Sequence, residues 1–121
     1  MPISVMQFNG SNAYEFQPGE FITSREFGIL NMDDLALGVE VYTANTTSRL
    51  KATMRFIDEY GVLLSTSSST YTPTVQNLWE RALFAWSVPE GATRAELRLE
   101  GLTSVILMAQ PKVANGTDPL S

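Results

Sequence analysis

The chain has 121 residues and a mass of 13.3 kDa, with no cysteine, no histidine, and 8 basic against 13 acidic side chains for a net charge of −5. That length suits a single domain able to fold without disulfides or a metal. The missing residues exclude disulfide frameworks, thiolate zinc sites, Cys nucleophiles and Ser-His-Asp triads, and the acidic balance argues against nucleic acid as a partner.

In chain order, Ile3-Ser4-Val5-Met6-Gln7-Phe8 reads as a strand running into a turn at Asn9-Gly10-Ser11-Asn12, where Asn-Gly supplies positive φ. Glu15-Phe16 leads into a second turn, Gln17-Pro18-Gly19-Glu20, and Phe21-Ile22-Thr23-Ser24 is the next short strand. Leu37-Gly38-Val39-Glu40-Val41-Tyr42-Thr43 is rich in β-branched and aromatic residues. The clearest signal is period two. In Arg49-Leu50-Lys51-Ala52-Thr53-Met54-Arg55-Phe56, apolar Leu50, Ala52, Met54 and Phe56 alternate with polar residues, which gives a strand one core face and one water face.

Asp58-Glu59-Tyr60-Gly61 closes a hairpin onto Val62-Leu63-Leu64-Ser65. The polar run Ser65-Thr66-Ser67-Ser68-Ser69-Thr70-Tyr71-Thr72 reads as a solvated loop or a polar edge strand. Residues 77–86 admit two readings. A helix places Trp79, Leu83 and Trp86 on one face, whereas a strand places Ala82, Phe84, Trp86 and Val88 together; the β character on both sides favours the strand. Pro89-Glu90-Gly91 then turns into Ala95-Glu96-Leu97-Arg98-Leu99-Glu100, a second strictly alternating strand. Last comes Val105-Ile106-Leu107-Met108-Ala109, apolar on both faces, and a tail over residues 114–121.

Short strands punctuated by turn residues about every 8–12 residues describe an all-β sandwich or barrel, with one domain over residues 1–113. No signal peptide and no apolar run of about 20 residues is expected to direct or insert the chain into a membrane. The sequons at Asn45 and Asn115 read as chance in a Thr-rich chain.

Catalysis would have to rest on Asp, Glu, Lys, Tyr and Ser. The pairs Asp33-Asp34 and Asp58-Glu59 fall at expected turns, and adjacent strand residues point to opposite faces, so no acid–base pair is expected. A hard cation is the one metal class the residues admit: Ca²⁺ would draw on Asp33, Asp34, Asp58 or Asp118, although no Asp-x-Asp-x-Asp loop organises them. No cofactor is expected. Among the aromatic residues Trp86 is assigned to the core, and Tyr60, Tyr71 and Trp79 are the candidate stacking surfaces for a sugar. The strand at 105–109 needs cover on its second face: either it is a central strand overlain by a loop, or Ile106 and Met108 meet another chain.

The segments Trp79-Glu80-Arg81, Phe84-Ala85-Trp86-Ser87-Val88-Pro89-Glu90-Gly91-Ala92-Thr93-Arg94-Ala95-Glu96-Leu97 and Met108-Ala109-Gln110-Pro111-Lys112-Val113-Ala114-Asn115-Gly116 follow a recurring order. Together with Leu37–Thr43 and the Asp58–Gly61 hairpin, they resemble the carbohydrate-binding-module-like jelly-roll domains common in bacteriophage tail and other virion proteins. The resemblance covers about residues 35–117. It implies an antiparallel jelly-roll sandwich on a phage particle: a non-enzymatic tail, fibre or head-decoration module that touches other virion proteins or its own copies, with host-surface glycans as a further partner. The alternative is an adhesion module whose main work is binding cell-surface carbohydrate. Ala114 stands where that family carries a Glu.

Overall fold

The computed structural model describes residues 4–8, 11–29 and 32–113, and none of these is helical. Ten strands follow one another: β1 (Ser4–Phe8), β2 (Ser11–Phe16), β3 (Phe21–Thr23), β4 (Phe27–Gly28), β5 (Asp34–Tyr42), β6 (Leu50–Asp58), β7 (Leu63–Tyr71), β8 (Trp79–Ser87), β9 (Ala92–Gly101) and β10 (Ile106–Val113). One sheet has the order β1-β2-β10-β5-β8. The other runs β3-β9-β6-β7, with β4 also paired to β9. Every pairing is antiparallel, and the two sheets form a β-sandwich of jelly-roll type.

Alternation builds the core. In β6, Leu50, Ala52, Met54 and Phe56 are buried, and they lie across from Gly101, Leu99, Leu97 and Ala95 of β9. The facing sheet contributes Phe16, Leu35, Leu37, Val39, Val41, Ala82, Phe84 and Trp86. Each large side chain taken from water stabilises the fold by about 1.5–3 kcal/mol before chain entropy is counted.

The ambiguous segment is a strand. β8 pairs with β5 from Asp34↔Ser87 to Tyr42↔Trp79, which puts Ala82, Phe84 and Trp86 inside. Leu83, which a helix would have grouped with Trp86, points outward and is 69% exposed. The polar Ser/Thr run is the edge strand β7, paired with β6 along its length. Two expectations shift. Asp34 begins β5 and does not lie in a turn, and Phe27–Gly28 adds a short strand that its two residues did not signal. The Asn9-Gly10 turn and the tail at 114–121 lie outside the described residues, although Ser11 and Asn12, expected in that turn, already belong to β2.

Ile106 and Met108 require a correction. Both are 0% exposed, because β10 sits between β2 and β5 and turns these two side chains into the core beside Phe16, Tyr14 and Val41. They offer no surface to a partner. A strand apolar on both faces does not reveal which face is inside; the register with its neighbours decides it. The opposite face carries half-buried Leu107 and fully buried Ala109. Farther along, the β10–β5 register shifts between Ala109 and Lys112, the stretch holding Pro111, which has no N–H for the ladder.

The ends are tied by polar groups. At the β6–β7 hairpin, Asp58 Oδ1 accepts the Tyr60 and Val62 N–H groups at 2.8 and 2.9 Å, and Gly61 takes φ +84°. Deeper in, the Thr43 and Ser48 hydroxyls lie 2.7 Å apart, and Ser48 donates to the Val105 carbonyl at 2.9 Å. Ser24 bridges β3 and β4 onto β9, accepting the Leu97 N–H on its hydroxyl at 2.9 Å. Where β9 ends, Gly101 leaves no room for a side chain: a Cβ there would lie 2.7 Å from the Cβ of Phe16.

The open edge between the two sheets is closed by Tyr71 of β7 and Glu80 of β8. The Tyr71 hydroxyl donates to Glu80 Oε1, and its ring meets Phe84 edge-on at 6.3 Å. Glu80 also accepts the backbone N–H groups of Thr74 and Val75 at 3.2 and 3.0 Å, so one carboxylate gathers the whole β7–β8 connection. Burial, and then the Glu80 carboxylate, push the Tyr71 hydroxyl up to about 12. Burial pushes Glu80 up as well, but its hydrogen bonds from Tyr71, Thr74 and Val75 outweigh that, and the net direction is down.

Three outcomes test this account. Met108→Ala should cost about 2–5 kcal/mol in urea unfolding without changing oligomeric size, because it opens a cavity and touches no interface. Gly101→Ala should cost about 1–3 kcal/mol, since the new methyl has to displace Phe16. The raised Tyr71 pKa stabilises the fold fully below the ordinary tyrosine value of 10.0, and that contribution is lost as pH rises from there towards about 12. Unfolding midpoints measured across that range should therefore fall more steeply for the native chain than for Tyr71→Phe.

Candidate functional site

The outer face of the β3-β9-β6-β7 sheet is built by the same alternation that builds the core, one residue out of phase. Antiparallel register places side chains directly opposite one another, about 4.5–5.5 Å apart, so the face forms rungs across the strands. One rung runs Thr23, Arg98, Thr53, Ser68. The rung on one side holds Phe21, Glu100, Lys51 and Thr70, and that on the other holds Glu96, Arg55 and Thr66. Between them lies an open groove of about 560 Å³, lined from Thr23 and Glu100 at one end to Glu96 and Thr66 at the other.

The side chains in this groove are ordered by one another. The Thr53 and Ser68 hydroxyls are 3.0 Å apart, and Arg55 Nη1 meets Glu96 Oε1 at 2.8 Å. The Arg98 guanidinium lies over the Phe21 ring, 3.7 Å from its centroid. Lys51, Arg55 and Arg98 bring three of the chain's eight cationic side chains to a face with two carboxylates, Glu96 and Glu100. A chain of net charge −5 thus carries a local excess of positive charge here.

The arrangement sets hydrogen-bonding and charged groups side by side along one face. Glu96 and Glu100 are four residues apart on one strand, about 13 Å at strand rise. Paired carboxylates that hydrolyse a glycosidic bond stand roughly 5–9.5 Å apart. Hydroxyls, a guanidinium and carboxylates spread over one shallow floor instead offer the mixed donors and acceptors that a polyhydroxylated ligand requires.

The three aromatic candidates fall in three separate places. Tyr60 is at the β6–β7 hairpin tip and is 82% exposed. Tyr71 points inward and is occupied by Glu80 and Phe84. Trp79 is on the outer face of the other sheet, half-buried, its ring 5.5 Å from that of Tyr42 in a rung that continues to Leu107. No single ligand surface unites them. Trp86 is in the core, stacked on Phe84 at 6.1 Å, as its spacing indicated. Of the calcium candidates, Asp58 caps its own hairpin and Asp118 lies outside the described residues, among which no group of three or more acidic side chains could hold a metal.

Sequence reasoning read Lys51, Thr53, Arg55, Glu96, Arg98 and Glu100 only as the solvated sides of two strands. The signal was present in the alternation. What it lacked was the adjacency of β6 and β9, which the long connection through β7 and β8 conceals, and the arrival of Phe21 from β3.

Solved structures share this architecture. Family 16 Carbohydrate Binding Module-2 superposes with a TM-score of 0.60 over 93% of this chain and 85% of its own, at 9% sequence identity. A CBM4 module matches with a TM-score of 0.54 over 92% of this chain and 76% of its own, at 11% identity. The enzymatically active domain of bacteriophage CBA120 tailspike protein 4 aligns at a TM-score of 0.48 and 22% identity, with 92% of this chain matching 15% of that one, too slight a likeness to support an argument. No protein-family model matches the sequence, nor does any curated protein. At these identities the likeness is one of fold: the chain is an antiparallel β-sandwich with the jelly-roll architecture of carbohydrate-binding modules.

Proposed function

We propose that the chain is a non-catalytic carbohydrate-binding module whose ligand lies across the outer face of the β3-β9-β6-β7 sheet. The observation that carries this reading is the groove of about 560 Å³, whose floor alternates hydroxyls, guanidinium and carboxylates on a rigid antiparallel register. Sheet-borne side chains lose little freedom on binding, so each hydrogen bond to a sugar hydroxyl is made at low entropic cost. The groove is shallow and exposes much of any ligand, so a single copy binds weakly.

Weak single-site binding gains from multiplicity. A module displayed in many copies on a virion surface, as the resemblance to phage jelly-roll domains implies, would hold a glycan-coated cell by avidity. The competing reading, a module that assembles through an apolar sheet face, lost its named contacts when Ile106 and Met108 proved to be core residues.

The test is a glycan-array screen followed by NMR titration of the isotopically labelled chain with the oligosaccharides that bind. Chemical-shift changes should gather at Thr23, Thr53, Ser68 and Arg98, and the double change Thr53→Ala, Ser68→Ala should weaken binding by about tenfold. Changes gathering instead at Tyr60, or at Tyr42 and Trp79, or no glycan bound at all, would overturn the assignment.

A further inference from the structure

Arg98 occupies the middle of the groove in an unusual state. Its neighbours along β9 on the same face are Glu96 and Glu100, yet no salt bridge among the described residues reaches it; Glu96 is held by Arg55. Its Nε is buried without a hydrogen-bond partner. What orders the side chain is the Phe21 ring, 3.7 Å beneath the guanidinium. Across the strands it is flanked by Thr23 and Thr53, neutral hydroxyls that neither neutralise it nor block it.

A guanidinium held over a ring is positioned before any ligand arrives, and its two terminal nitrogens still present a fork of N–H donors. That is the geometry that takes a carboxylate through two parallel N–H···O bonds. Charge points the same way. Three cations against two carboxylates leave this face one positive charge in excess, which a ligand carboxylate would neutralise.

We infer that the ligand is an acidic glycan carrying carboxylate groups, and that Arg98, stacked on Phe21, reads the carboxylate. This rests on the groove being the carbohydrate site and adds the class of sugar it selects. Thr23, Thr53 and Ser68 would then bond hydroxyls of the same ring or its neighbour, and Lys51, opposite Glu100 in the register, offsets the repulsion from that carboxylate.

The experiment is isothermal titration of the whole chain with oligomers of galacturonate, glucuronate and mannuronate, each beside its carboxyl-reduced neutral counterpart. At least one acidic oligomer should bind about tenfold or more tightly than its neutral partner, with the preference shrinking as salt rises. Arg98→Gln should abolish the preference, and Arg98→Lys, which keeps the charge but not the fork, should restore only a small part of it. Phe21→Ala should weaken it with far-UV circular dichroism unchanged. Neutral and acidic oligomers bound equally, or a preference that survives Arg98→Gln, would overturn the acidic-sugar inference while leaving the carbohydrate site standing. Binding of sulfated glycans without the carboxylated ones would overturn it as well. Failure of every glycan, acidic or neutral, would overturn both readings together.

Discussion

Both faces of the second sheet depend on the register between β6 and β9, which runs from Leu50↔Gly101 to Ile57↔Arg94 without interruption. With Ala52 opposite Leu99 and Met54 opposite Leu97, the inner side is apolar throughout. The same pairing necessarily sets Thr53 beside Arg98 and Arg55 beside Glu96 on the outer side. A slip of one residue in both strands would turn Met54 and Leu97 to water and bury Lys51, Arg55, Arg94, Glu96, Arg98 and Glu100, so the hydrophobic effect that selects the core also selects the groove. Core and candidate site are one physical constraint seen from two sides.

The sandwich has edges, and it treats them differently. The β9 side of its second sheet is capped by two short strands, β3 and β4, joined through Ser24. At the β7–β8 edge the closure is polar: Tyr71 and Glu80 reach across the gap between sheets, and the carboxylate collects backbone donors from residues 74 and 75. An ionised group placed there is stabilised by several hydrogen bonds to its charged form, which outweigh what burial costs it. The two aromatic residues that sequence patterns single out near this edge, Tyr71 and Trp79, are therefore engaged in holding the fold, one by its hydroxyl and the other through its ring contact with Tyr42.

A flat polar sheet face is a modest binding surface. It has no deep cavity and one aromatic ring at its margin, Phe21, which is 38% exposed and already covered in part by Arg98. Affinity for the proposed ligand would come from directional hydrogen bonds and from charge, both of which discriminate between ligands more than they add raw strength. The chain's net charge is negative overall, whereas the groove is locally positive.

Much of the fold was legible without coordinates. The alternation in residues 49–56 and 95–100 specified strands and named their buried sides, and Asp58-Glu59-Tyr60-Gly61 specified a hairpin, because these signals are local: a side chain's face follows from its parity and a turn from the backbone its residues allow. The absence of Cys and His likewise excludes thiol and imidazole groups from any chemistry of these 121 residues. Tertiary structure decided what depends on residues distant in sequence: that Ile106 and Met108 face Phe16 and Val41 inside the sandwich, that Tyr71 finds Glu80, and that Phe21, Thr53 and Ser68 gather around Arg98 from three other strands. A strand apolar on both faces, or polar and exposed, carries no local mark of its neighbour. Only pairing through the long crossovers of a jelly roll assigns one.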